Sequence, residues 1–315
     1  MEGSNRLELH YYFDDDSHQI DALFRNKCES ELLALLIEAA KILNIDAQFI
    51  TEAHQEGGFR DFWKFVGDNS AQINVLLVLI PIIITTVQLF DRSDKDLEKE
   101  LTRLNIEEKK LSIEKLKQEL QDGEHSKETL KDAANSVSSN LKIIKRKSNF
   151  YAHLEKHQKV KRIGVIPLDS NWHPTADEIS VNRIDFRKFI LASNKLKSNK
   201  DDNAVIEIVS PVLKEGSYKW KGIYNELPIS FDMQDSEFKD AVLLEKIPFQ
   251  NGSFIKCVLI THREIDEIGD IKITGYSVPV VIEKTDGDVS YRTIQGKKYR
   301  HTQKLKESQT DLYEE

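Results

Sequence analysis

Cysteine is almost absent from the 315 residues: Cys28 and Cys257 stand alone in unrelated surroundings. Without a spaced set there is neither a disulfide framework nor a zinc knuckle, and a reducing compartment fits. An excess of positive charge is also missing. The formal net charge is -8, which argues against global attraction to nucleic acid and leaves only local basic patches open. Walker-loop, GxGxxG, GxSxG, HExxH and CxxC sequences are all lacking. That removes the common phosphate-binding and zinc-dependent enzymes from the front rank, while sites assembled from scattered residues stay open. Apolar content is modest, 39% hydrophobic residues against 31% charged, which excludes a polytopic transporter. The same balance excludes a wholly disordered chain and leaves room for roughly two folded units.

Only one long uncharged run occurs, Ile73–Phe90, INVLLVLIPIIITTVQLF. As a helix it spans about 27 Å, close to the hydrocarbon core of a bilayer. Pro81 at its middle is better tolerated in lipid than in a soluble helix. The alternative is a buried core helix or a pair of buried strands, but a helix apolar all round needs a large core on every side. The run therefore reads as a single transmembrane helix from Ile73 to Phe90, with Trp63 ahead of it as an interfacial anchor. No signal-like apolar stretch precedes it. Lys95, Lys99 and Arg103 follow it. The positive-inside bias then places the larger C-terminal part in the cytoplasm, with the span in a bacterial inner membrane. A monotopic insertion is the runner-up.

Around this run the chain divides by pattern. Residues 1–58 read as a small β-α-β unit with a strand at Arg6–Phe13 and an apolar helix face through Leu32, Leu36 and Leu43. Residues 59–72 form an aromatic juxtamembrane segment, and 73–90 the span. Residues 91–159 carry leucine stripes among alternating Glu and Lys, which suits a coiled-coil-like stalk or hairpin. Residues 160–295 switch to short alternating runs separated by turn signals such as Asn251-Gly252 and Asp286-Gly287. These indicate an all-β sandwich or barrel-like domain. Residues 296–315 are a polar tail. The fold class is then an α+β multi-part membrane protein.

Three clusters carry candidate chemistry. In the N-terminal unit, Asp16 and His18, with Glu52 and His54 across the proposed sheet, suit acid–base work or a divalent ion. The plainer reading is an acidic turn that complements a helix N-terminus. In the β domain, Tyr218, Lys219, Trp220, Lys221 and Tyr224 alternate along a strand. They make either a stacking surface for a ligand or a core strand with its lysines outside. Lys142, Lys145, Arg146, Lys147, Lys159, Lys161 and Arg162 make the basic patch, a contact for anionic lipid or nucleic acid, or else a solvated helix face.

In layout this order of parts is similar to the single-span effectors of bacterial antiviral systems, with no residue motif carrying the likeness. The expectation is a membrane-anchored protein that is not an enzyme and forms homo-oligomers through helices 91–154. Its β domain would sense a small molecule or protein and signal to the span, in antiviral defence or stress. No metal and no cofactor is expected, and nucleic acid is not the favoured partner. The competing readings are a metal-dependent enzyme using the N-terminal cluster and a membrane-tethered nucleic-acid-binding protein.

Overall fold

The computed structural model describes residues 5–15, 19–51, 59–87, 127–244 and 246–310. They fall into two compact units, Met1–Asn194 with Ile265–Asp270, and Lys195–Glu264 with Ile271–Glu315.

The first unit runs β1 (Arg6–Phe13), α1 (Ala22–Leu43), β2 (Gln48–Thr51), β3 (Phe59–Val66), α2 (Ser70–Thr85), α3 (Lys127–Ser138), α4 (Leu141–Lys156), β4 (Val160–Leu168) and β5 (Ile179–Asn182), followed by a 3-10 helix at Arg183–Phe189. Its strands are antiparallel in the order β2-β3-β1-β4-β5. Alternation puts Leu7, Leu9 and Tyr11 of β1 on one face with Trp63 and Phe65 of β3, Ile163 and Val165 of β4, and Val181 of β5. These side chains share one buried cluster with α1, α2 and α4. Asp21 caps α1 by accepting from the Phe24 N–H at 2.7 Å, and Asn44 ends it in the left-handed region.

The Ile73–Phe90 run is not a membrane span. Asn69 caps α2 by accepting from the Ala71 and Gln72 N–H groups, and the helix ends after 16 residues at Thr85. Among the described residues no helix is long and apolar enough to cross a membrane. Its all-round apolarity has another cause. Helix α2 lies against α1, α3, β4 and β5, and it buries Ile73, Leu76, Leu77, Leu79, Ile80, Pro81, Ile83 and Ile84 while leaving Val78 exposed. The core on every side that the flanking sequence does not offer comes from segments far along the chain. Pro81 costs the helix one N–H, and the Thr85 hydroxyl turns back to the Pro81 carbonyl at 2.6 Å. Trp63 is a core residue on the inner face of β3, 1% exposed, and not an interfacial anchor. Phe90 lies outside the described residues.

The N-terminal part is also larger than a small β-α-β unit, because β4 pairs along β1 and β5 along β4. Strands read from sequence as the start of the β domain thus complete the first sheet. Nor do the described helices beyond residue 126 form a free stalk. Asn140 caps α4, which lies along α1 and buries Ile143, Phe150, Tyr151 and Leu154 in the same core. The leucine stripes of 91–126 lie outside the described residues.

Helix α4 also finishes α2. The Lys147 ammonium donates to the Ile83 carbonyl at 3.0 Å and the Thr86 carbonyl at 3.1 Å, and the Tyr151 hydroxyl donates to the Ile84 carbonyl at 3.0 Å. Two buried side chains thereby satisfy carbonyls that a helix end leaves open. Burial lowers the Lys147 pKa from 10.5 to about 8. Because the folded value lies below the unfolded one, the unfolded state binds more protons between them, so the cost is full below pH 8 and fades as pH rises toward 10.5. Urea unfolding should therefore show the wild type gaining about 3 kcal/mol relative to Lys147→Met across that window. Parallel pH profiles of the two proteins would contradict this.

The second unit runs β6 (Lys195–Ser210), β7 (Trp220–Tyr224), β8 (Leu227–Met233), α5 (Ser236–Leu243), β9 (Ser253–Ile265), β10 (Ile271–Asp286), β11 (Val289–Arg292) and α6 (Ile294–Thr310). Five strands close in the order β10-β8-β7-β6-β9 and back to β10. The β8–β10 pair is parallel, and β11 is a hairpin partner of β10. Register shifts in β6 at Leu196/Asn199, Asp201/Ala204 and Ile208/Ser210 bend that long strand so that it serves both β7 and β9. Asn225 and Glu226, both with positive φ, make the two-residue turn between β7 and β8. Gly222 is required by close approach, since a Cβ there would meet the Ile206 side chain at 2.5 Å and the Glu207 carbonyl at 2.6 Å. Buried Asp235 joins three elements: it accepts from the Phe238 N–H of α5, the Val281 N–H of β10 and the Gln295 amide of α6. The polar C-terminal stretch expected from 296 is helical as far as Thr310 and lies against β10.

Candidate functional site

The barrel interior is filled by Ala204, Ile206, Trp220, Phe231, Phe238, Ile255, Cys257, Val278 and Val281. Because neighbours in register share a face, the cross-strand pairs then fix which side chains point outward. Phe254 of β9 opposes Glu207 of β6, which opposes Ile223 of β7, which opposes Pro228 of β8. Beside this row, Val205 opposes Lys256, and Ser210, Lys221 and Ser230 form a second row. Val209 occupies the bulge between Ile208 and Ser210. On this outer face Val205 is 52% exposed, Val209 61% and Phe254 39%. Scattered exposed aliphatics are ordinary; here Val205, Val209, Ile223, Pro228 and Phe254 come from four neighbouring strands, with Glu207 between Phe254 and Ile223. Lys221, Lys256, Glu207 and Asp232 give the face both signs of charge. Lys219 reaches Asp232 at 3.9 Å.

The expected ligand strand is divided between core and surface. Trp220 is fully buried against Phe231, Phe238 and Phe249, while Tyr218, Lys219 and Lys221 are exposed. Tyr224 lies at the barrel end, where its hydroxyl donates to Asp201 at 2.8 Å, an interaction that raises its pKa. Sequence alternation around Tyr218 missed Val205, Val209, Ile223 and Phe254. The available signal was the stretch Ala204–Val209, in which both the even and the odd positions include aliphatic residues, so one set has to face outward in a half-buried strand.

The basic cluster is not gathered on one surface. Lys142 pairs with Asp270 at 3.1 Å, Arg146 with Glu31 at 3.0 Å, Lys159 with Asp15 at 3.2 Å and Lys161 with Asp14 at 3.0 Å. Lys145 is 6% exposed and donates to the Asn194 side chain at 3.2 Å, Lys147 closes α2, and Arg162 lies over Tyr12. Most of these cations are thus spent on separate contacts within the first unit. Asp16, His18, Glu52 and His54 lie outside the described residues. Among the described residues no group of three or more His, Cys, Asp or Glu side chains is placed to hold a metal ion. Comparison with family models, with curated proteins and with solved structures finds no match to this chain.

Proposed function

We propose that this chain is a recognition protein that works through the outer face of β6, β7, β8 and β9, with a protein surface as partner and a second copy of the chain as that partner. The observation that carries this reading is the outward group Val205, Val209, Ile223, Pro228 and Phe254 on strands already paired on both sides. Barrel closure leaves these strands no free edge, so a partner meets side chains rather than backbone. Aliphatic contact favours a protein surface over a nucleic acid, which needs phosphate neutralisation along its length. Lysines and carboxylates on one face suit a two-fold pairing, in which the same patch must complement itself. Five-stranded Greek-key barrels recognise oligonucleotides and oligosaccharides on their second and third strands, here β7 and β8, so the parallel bears on the place of recognition and not on the class of partner. That parallel is one of architecture alone.

Sedimentation velocity of the full chain tests this. The wild type should associate with rising concentration, and the Val205→Glu, Val209→Glu double variant should weaken that association about a hundredfold through the loss of roughly 3 kcal/mol of apolar burial. Both positions are more than half exposed, so the melting temperature should stay within a few degrees of wild type. Monomers at every concentration in both proteins would overturn the reading. So would salt-sensitive binding of a labelled single-stranded DNA that the same double variant abolishes.

A further inference from the structure

The first unit carries a second surface of different chemistry. Helices cover one face of its sheet, and the other face presents Glu8, His10 and Tyr12 from β1, Arg60 from β3, and Arg162 and Gly164 from β4. His10 stands between Arg60 and Gly164 in register, and Tyr12 stands beside Arg162. The His10 and Tyr12 rings lie 3.8 Å apart between centroids, and the Arg162 guanidinium lies 3.8 Å above the Tyr12 ring. Glu178 completes the group. The Tyr12 hydroxyl donates to its two carboxylate oxygens at 2.7 and 3.0 Å. The place for that carboxylate exists because residue 164 is glycine: a Cβ there would meet the Glu178 Oε1 at 2.0 Å.

The charges around His10 are not balanced in their effect. Arg60 is paired with Glu8 at 3.3 Å. Among the described residues Arg162 has no carboxylate within ion-pair distance, and its contact is the Tyr12 ring. Burial, then Arg60 and Arg162, lower the His10 pKa to about 4, outweighing the opposing pull of Glu178. Half-buried His10 is therefore a neutral imidazole in a positive field, able to donate from one nitrogen and accept at the other. Burial and the Glu178 contact push Tyr12 up to about 12, so it stays a neutral phenol.

We infer that this face holds the phosphate group of a small phosphate ester, seated between Arg60 and Arg162 with the His10 imidazole beside it. The two guanidiniums arise from strands on opposite sides of β1, opposite His10 and Tyr12 respectively, which puts them roughly 12 Å apart at the backbone, two strand spacings across and two residues along. An anion that engages both must present oxygens in two directions. A tetrahedral phosphate does so, whereas a carboxylate offers one edge to one fork. The Tyr12 ring, held by Glu178, sets the position of Arg162 at one side, and Glu8 holds Arg60 at the other. This site lies on the first unit and is independent of the barrel face.

The His10 ring signals in NMR spectra of the full chain provide the test, read at mildly acidic pH during titration with inorganic phosphate and, separately, with acetate. Phosphate should shift the His10 resonances in a saturable way and raise the pH at which the ring protonates, because the bound anion offsets the two guanidiniums. Acetate should have little effect. Arg162→Gln should weaken phosphate binding by about tenfold or more, as expected for loss of a charge-assisted contact. The same variant's remaining spectrum should keep its dispersion, since Arg162 is only half-buried. Adenosine monophosphate and glucose 6-phosphate used as further probes should both compete with inorganic phosphate. A His10 ring that phosphate does not move, an equal response to acetate, or unchanged affinity in Arg162→Gln would overturn the proposal.

Discussion

Replacing Leu77 by aspartate should abolish folding of the first unit, while the same change at the neighbouring Val78 should be tolerated. Leu77 is fully buried in α2, and Val78 is 38% exposed on the same helix. An unpaired carboxylate at position 77 would be stranded among the side chains of α1, α3 and the sheet, at a cost of several kcal/mol. At position 78 it can reach water, and the expected change is within about 1 kcal/mol. Thermal unfolding followed by circular dichroism separates the two variants. A helix in lipid would penalise aspartate at both central positions by roughly 2.5–3.5 kcal/mol. Equal loss in the two variants would therefore contradict the packing of α2.

Trp220→Ala should lower the unfolding free energy of the barrel by about 3–5 kcal/mol, the range for deleting a buried indole without collapse of the surrounding core. Trp220 is 0% exposed and touches Phe231, Phe238 and Phe249, so the lost ring serves β7, β8, α5 and the loop before β9 together. Tyr218→Ala, two residues away at 55% exposure, should change stability by no more than about 0.5 kcal/mol. Calorimetry of both variants reads the contrast. A small loss in Trp220→Ala would mean that the indole is not a core residue, and the ligand-strand reading would regain both aromatics.

Local pattern made several elements legible. Alternation marks the strand Arg6–Phe13, and the 3.6-residue period marks α1 through Leu32, Leu35, Leu36, Ala39 and Leu43, all buried. Gly252 and Gly287, both with positive φ, mark turns that the sequence also signals. Long-range pairing had no such signature. Nothing near Arg162–Leu168 shows that its partner is β1 at the other end of the unit. The apolar run failed for the same reason, because whether a helix apolar on all sides meets lipid or protein depends on neighbours distant in sequence. Lys147 looked like one more cation of a solvated face. Its burial follows from where α2 ends, since the ammonium is needed by the Ile83 and Thr86 carbonyls. At the barrel, Trp220 and the lysines beside it were seen, but which aliphatics face outward depended on the register of β6 against β7 and β9.

The most direct measurement is a dilution series of the full chain observed by methyl NMR, with Ile, Leu and Val methyl groups labelled. Association through the barrel face predicts that Val205, Val209 and Ile223 shift with protein concentration, and that Ile206, Ile255 and Val281 inside the barrel hold still. Methyl positions independent of concentration throughout, or changes confined to residues away from β6 and β7, would contradict the assignment of this face as the recognition surface.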